Sequence, residues 1–270
     1  MSYENLILER LDGHVALVTL NRPEKLNALN RGLQEDSRAV LAELAEDEEV
    51  RAVVVTGAGR AFCSGADLTA NAGQTLGEAP PRAPHAARLD EYGWVGRQAL
   101  AFHGFPKPLV GAINGVATGA GMSMALACDV RVGSEATRFK TTFIERSLSP
   151  DSGMSYFLPR IVGYARAADL IYSSRMVEGE EAYALGLLNR YVASDEVVPT
   201  ALALARQIAG WPPVAMRSAK RVLQHNIGVT LDEALRYENA GLRFARQAPH
   251  DVAESRLSFV EKRAPLYTGD

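Results

Sequence analysis

The chain has 270 residues, 47% of them hydrophobic and 23% charged, with a formal net charge of −3. That length supports a sizeable core, and a near-neutral balance with dispersed Lys and Arg argues against a nucleic-acid or anionic-membrane partner. No stretch approaches the roughly 18 uninterrupted apolar residues of a membrane span. The two cysteines, Cys63 and Cys128, fit no metal-ligand or redox spacing, and Met1–Arg10 has no signal-peptide pattern, so the expectation is a cytoplasmic protein with reduced thiols.

In chain order, Asn5–Arg10 and His14–Leu20 are short strand-like runs around Asp12-Gly13, which predicts a hairpin. Asn30 is suited to cap a helix whose inner face is Leu33, Val40, Leu41 and Leu44, and the acidic run Glu43 to Glu49 reads as its solvated end. Arg51–Thr56, with Val53, Val54 and Val55, predicts a buried strand ending in Gly57-Ala58-Gly59. Thr69 to Ala87 is rich in Ala, Gly and Pro without apolar period, and reads as a loop, either a lid or a surface insertion. Arg88–His103 returns to helical spacing.

The organising stretch is Lys107 to Asp129. A buried-strand pattern at Leu109–Ile113 stops at the turn pair Asn114-Gly115, and after Thr118-Gly119-Ala120-Gly121 the apolar spacing becomes helical. Residues this small either let a ligand approach the unpaired N–H groups of a helix's first turn, or only permit close strand–helix packing. A further strand is expected at Val130–Val132. Pro150 bars helix before it, and Asp151 or Ser152 is suited to begin a helix over 153–161. Helices at 165–172 and 180–185 follow, with a short strand at 188–192. From residue 196 onward the pattern is helical only. The division expected is therefore a strand–helix body over 1–195 and a helical region over 196–270.

Four ordered motifs carry a family resemblance along nearly the whole chain: Asn21-Arg22-Pro23 to Asn27-Ala28-Leu29, Phe62-Cys63-Ser64-Gly65-Ala66-Asp67-Leu68, Lys107-Pro108 through Asn114-Gly115 to Cys128-Asp129, and a Phe259-x-Glu261-Lys262-Arg263-x-Pro265 terminus. The chain resembles the crotonase superfamily, the enoyl-CoA hydratases and isomerases. The resemblance implies an α/β fold, a spiral of strand–strand–helix units with a C-terminal helical region that trimerises, often into a dimer of trimers. It also implies an acyl-CoA thioester substrate, with no metal or redox cofactor. Matching positions places two oxyanion-hole N–H groups at Ala66 and Ala120, the second usually being glycine. Lys25, Ala28, Ser64, Asp67 and Leu68 match positions lining the CoA groove. Phe259 and Lys262 match a segment that can reach a neighbour's CoA phosphates.

Backbone donors of this kind stabilise a thioester enolate, and the acids and bases nearby decide the reaction. The two hydratase glutamates correspond to Ser123 and Phe143, neither a useful general base, which weakens a hydratase reading. The segment from Phe143 through Ser147-Leu148 to Pro150-Asp151 is similar to that of the 1,2-epoxyphenylacetyl-CoA isomerases and related enoyl isomerases, which implies Asp151 as the proton carrier. Met122, Ser123, Phe143 and Met154 are expected to line the site. The competing roles are a helix cap for Asp151 and a surface carboxylate for Glu145. The expected function is thus isomerisation of an enoyl-CoA or a related ring or epoxide acyl-CoA. The alternatives are a 2-enoyl-CoA hydratase with an atypical site and a non-catalytic acyl-CoA-binding trimer. His14, His85, His103, His225 and His250 are scattered without ligand spacing, and Cys63 reads as a packing residue.

Overall fold

A computed structural model describes residues 3–71 and 85–270. The hairpin β1 (Leu6–Leu11) and β2 (Val15–Leu20) forms as expected, turning at Gly13 and His14, both in the left-handed region. Helix α1 (Arg31–Glu46) starts under Asn30, whose Oδ1 accepts the Leu33 N–H at 2.8 Å. The strands β3 (Ala52–Gly57) and β4 (Ala61–Cys63) are followed by α2 (His85–Arg88) and α3 (Gly93–His103). Next come β5 (Leu109–Ile113), β6 (Val116–Thr118) and α4 (Ala120–Ala127), then β7 (Val130–Gly133), β8 (Arg138–Lys140), α5 (Met154–Val162) and α6 (Tyr164–Ser173). The remainder is β9 (Val177–Glu178), α7 (Gly179–Ala184), β10 (Arg190–Tyr191), and the helices α8 (Val197–Ala209), α9 (Pro213–His225), α10 (Leu231–Ala245) and α11 (Pro249–Glu261). Most of the segment expected to be a loop or lid, residues 72–84, lies outside the described residues.

Two sheets result. One has the order β1-β2-β3-β5-β7-β10 and is parallel apart from β1; the other has the order β4-β6-β8-β9. The pairs β3/β4, β5/β6 and β7/β8 each place one strand in the first sheet and the next in the second before a helix follows, which is the strand–strand–helix spiral. The second strand of each pair has only three residues, too short to show a period in the sequence. The expected turn from Asn114 straight to the glycine-rich stretch is accordingly interrupted by β6.

The fully buried β3, with Val53 and Val55 toward one core and Val54 toward the other, is apolar on both faces because both faces are covered. Helix α8 covers the second face: Val197, Ala201, Ala205 and Ala209, at helical spacing, pack with Val15, Val54, Val110 and Val132. The body therefore runs on through α8, past the expected division at residue 195. The α9–α10 hairpin is latched to it by Lys220, whose Nζ donates to the Lys107 carbonyl at 3.0 Å and to Asp129 Oδ2 at 2.7 Å. Asp129 Oδ2 also accepts the Leu109 N–H at 2.8 Å, at the start of β5.

Asn114 joins the ends of β3 and β5. Its Nδ2 donates to the carbonyls of Gly57 and Gly59 at 2.8 and 2.9 Å, and its Oδ1 accepts from the Gly57 N–H at 3.2 Å. Replacement Asn114→Ala strips these bonds and is expected to lower stability by about 2–4 kcal/mol, read from denaturant midpoints at constant slope.

Candidate active site

The site lies where the second sheet ends. Strand β4 runs parallel to β6, with Ala61 opposite Val116 and Cys63 opposite Ala117, so the segments that follow them leave side by side. The Thr118 hydroxyl donates to the Ser64 carbonyl at 2.8 Å and ties the two together. A Cβ built on Gly65 would come within 2.7 Å of the Thr118 carbonyl and 3.6 Å of the Ala120 nitrogen, so these backbones are in direct apposition. Gly119 takes φ 51° and ψ −123°, a turn open to glycine, and α4 begins at the next residue. Gly121 has the other role foreseen for this stretch: a Cβ there would meet the Cys63 carbonyl at 2.1 Å, so α4 packs on β4 only without one.

Ala66 and Ala120 thus present adjacent main-chain N–H groups. The Ala120 N–H belongs to the first turn of α4, where no intrahelical acceptor exists. Around Ala66, the parallel bridge to Leu29 uses the Gly65 carbonyl, which accepts the Leu29 N–H at 2.7 Å, and the Asp67 N–H, which donates to the Leu29 carbonyl at 3.1 Å. Among the described residues no hydrogen bond uses either alanine N–H.

Both alanines line a cavity of about 160 Å³, together with Ser64, Leu68, Phe143 and Asp151 of the expected site. Asp151 is half-buried, and its Oδ1 accepts the Ser152 hydroxyl at 2.8 Å. The carboxylate does not cap α5. Gly153 is the cap residue, and it is the Asp151 main-chain carbonyl that accepts the Met154 N–H, at 2.8 Å. Asp151 is the only carboxylate residue among the described residues lining this cavity.

The other expected residues fall into three groups. Lys25, Ala28 and Asp67 support the Ala66 segment from below. The Ser64 N–H and hydroxyl donate to the Leu26 and Lys25 carbonyls at 3.0 and 3.3 Å. Arg22 donates to the Ala28 carbonyl and to Asp67 Oδ2. The Asp67 side chain is buried in this clamp, its Oδ1 accepting the Thr69 hydroxyl at 2.6 Å, and Thr69 and then Arg22 hold its carboxyl below the ordinary 3.8. Met122 and Ser123, expected as lining, are instead buried in the body and are not among the cavity walls. Phe259, 84% exposed on α11, and Lys262, left-handed at its end, do not line the cavity either. Asn27 of the first motif is a scaffold: fully buried at φ 55°, it donates to the carbonyls of Ala58 and Ala61 at 3.0 and 2.8 Å.

The cavity also holds residues that sequence reasoning did not assign to it: Trp94, Thr118, Thr142, Arg146 and Leu148. Trp94 lies in the segment expected to be helical, where packing is the ordinary role of such a side chain, and it is a cavity wall. Arg146 sits in a three-residue turn, Ile144–Arg146, too short to carry a pattern. Its neighbour Glu145 pairs with Lys140 at 2.6 Å, which holds that carboxyl below its usual range, and it is not among the cavity walls.

Two outcomes follow from this geometry. Burial pushes the Cys63 and Cys128 thiols up to about 12, so both should resist a disulfide reagent at pH 8 and react only after denaturation, as thiol titration would show. Asp67→Asn is expected to cost about 2 kcal/mol in chemical denaturation. Because folding depresses the Asp67 pKa, that stabilisation is complete above its ordinary 3.8 and is lost as acid titrates the carboxyl through its lower folded value.

The model of the enoyl-CoA hydratase/isomerase family matches residues 10–270. The short-chain-enoyl-CoA hydratase of Clostridium acetobutylicum is 32% identical over 267 residues, 97% of each chain. The 1,2-epoxyphenylacetyl-CoA isomerase of Escherichia coli is 33% identical over 263 residues, covering 97% of this chain and 98% of that one. The crystal structure of an enoyl-CoA hydratase from Bacillus anthracis superposes with a TM-score of 0.90 at 30% identity, over 99% of this chain and all of the other. The chain belongs to the enoyl-CoA hydratase/isomerase family of the crotonase superfamily.

Proposed function

We propose that the protein isomerises an enoyl-CoA, or a related ring or epoxide acyl-CoA, through a thioester enolate, with Asp151 carrying the proton. The observation behind this reading is that Asp151 shares one cavity with the Ala66 and Ala120 N–H groups; the residues that the family resemblance matches to the two hydratase glutamates are Ser123 and Phe143. The thioester oxygen accepts from both N–H groups, and charge moved onto it makes the α-proton acidic. Each such donor contributes roughly 10²–10³ in rate. For a 3-enoyl-CoA, the Asp151 carboxylate takes a proton from C2, the electrons delocalise onto the thioester oxygen, and the carboxylic acid returns the proton at C4, leaving the 2-enoyl-CoA. No proton is gained or lost overall, and no step uses a metal or redox group. The Ser152 hydroxyl, by donating to Oδ1, orients the carboxylate and leaves Oδ2 for the substrate.

Ser64 and Leu68, in the cavity wall, and Lys25 and Ala28, on the neighbouring stretch that holds it, are proposed to carry the CoA moiety. Phe259 and Lys262 are proposed to serve a neighbouring protomer of a trimer or hexamer, consistent with their exposure and distance from the cavity walls of their own chain. Asp151→Asn is expected to lower turnover of 3-enoyl-CoA at least about 100-fold while retaining acyl-CoA affinity. Turnover within a few-fold of the parent rejects Asp151 as the base. Rapid hydration of crotonyl-CoA by the parent protein supports the hydratase reading instead.

A further inference from the structure

Two charged residues line the cavity, Arg146 and Asp151. Among the described residues they form no salt bridge with each other, and Asp151 is engaged by the Ser152 hydroxyl. The Arg146 side chain is accessible and takes part in no hydrogen bond or salt bridge among the described residues. The acid next to it is spent elsewhere, on Lys140. The cavity therefore keeps one cation to which no described carboxylate is bonded. The turn that carries it is held firmly. The Phe143 carbonyl accepts the N–H groups of Arg146 and Leu148, each at 3.0 Å, and the Ile144 carbonyl accepts that of Ser147 at 3.1 Å. Thr142 at φ 59° and Ser147 at φ 56° enclose the turn in the left-handed region. A β-branched side chain seldom adopts that conformation, and residues kept in it cluster at ligand clamps and active sites.

Successive contacts set an order along the wall. The Ser64 hydroxyl donates to the Lys25 carbonyl, and the Thr118 hydroxyl donates to the Ser64 carbonyl. A Cβ on Gly65 would lie 2.7 Å from the Thr118 carbonyl, and one on Gly119 would lie 2.9 Å from Thr142 Oγ1. The Lys25 stretch, the Ala66 segment, the Ala120 segment and the 142–146 segment thus follow one another. A thioester whose oxygen sits between the two amides, and whose CoA arm runs along the Lys25 stretch, directs its acyl arm toward Arg146. A guanidinium is permanently charged, and its planar fork matches the two oxygens of a carboxylate. We infer that Arg146 sets acyl specificity by receiving a carboxylate at the far end of the acyl chain. This rests on the acyl-CoA reading above and narrows its substrate class to dicarboxylic acyl thioesters. Such a chain supplies the counter-charge that the cation lacks, whereas a hydrocarbon tail would strip its hydration and return nothing.

Equilibrium binding to the full protein tests this with saturated thioesters, which need no turnover: hexanoyl-CoA against adipoyl-CoA, octanoyl-CoA against suberoyl-CoA, with CoA alone as the reference. The expected result is that at one chain length the dicarboxylic thioester binds about tenfold tighter than its monocarboxylic counterpart or better. That ratio is expected to fall toward one in Arg146→Gln and to be partly kept in Arg146→Lys. A ratio of one or below at both lengths in the unsubstituted protein overturns the inference, as does a ratio that Arg146→Gln leaves unaltered. A uniform loss of affinity in Arg146→Gln, shared by both members of each pair and by CoA alone, overturns it too, assigning the guanidinium to the CoA phosphates. Because the Arg146 side chain is exposed and makes no hydrogen bond among the described residues, neither substitution removes a contact of the fold. Absence of binding by all four thioesters rejects the acyl-CoA reading itself, and this inference with it, an outcome distinct from binding without preference.

Discussion

Two main-chain amides can face one ligand oxygen only if the segments bearing them are held side by side, and here the parallel pairing of β4 with β6 does this. The rest of the site follows from that register. Several main-chain carbonyls around the two amides are already engaged: Ser64 by the Thr118 hydroxyl, Gly65 by the Leu29 N–H, and Gly119 by the Ser123 N–H. With these acceptors taken, the Ala66 and Ala120 N–H groups remain for an incoming oxygen. Donors fixed before the ligand arrives need no reorganisation when charge develops, which is why rigid backbone suits this task better than mobile side chains.

Most of the polar residues in the recognisable motifs act on this frame and not on a ligand. Asn27 and Asn114 satisfy the carbonyls of tight turns, and Arg22 with Asp67 locks the Ala66 segment against the Lys25–Leu29 stretch. These are buried or half-buried polar groups with their hydrogen bonds made, so they specify a single loop geometry where an apolar residue would allow several. The chemistry is left to few side chains, of which Asp151 is the one carboxylate residue among the described cavity walls.

The strands of the larger sheet were legible because burial on both faces leaves an unbroken apolar run, as at Val53–Val55, and α1 was legible through its Asn30 cap and its inner face. The three-residue strands of the smaller sheet left no such signature, although the site is built on them. Ala66 and Ala120 were expected as donors through motif resemblance alone; nothing in an alanine's chemistry marks it as one. Trp94 carried no mark of its place in the cavity wall because the same helical spacing serves a pocket wall and a packed core. The role of α8 escaped notice for a related reason: its buried face is Val197 and three alanines, which merge with the helical pattern on either side.

The Lys220 ammonium grips the entry of β5, at Lys107 and Asp129, whereas the cavity opens beyond the exit of β6. The strands thus stand as a spacer between the hairpin's anchorage and the cavity. A lineage could remodel the outer surfaces of α9 and α10 without disturbing the strand ends that hold the Ala66 and Ala120 segments together. Equally, new acyl specificities could arise by exchanging residues of α3 and the turn at Ile144–Arg146 while that anchorage stays untouched.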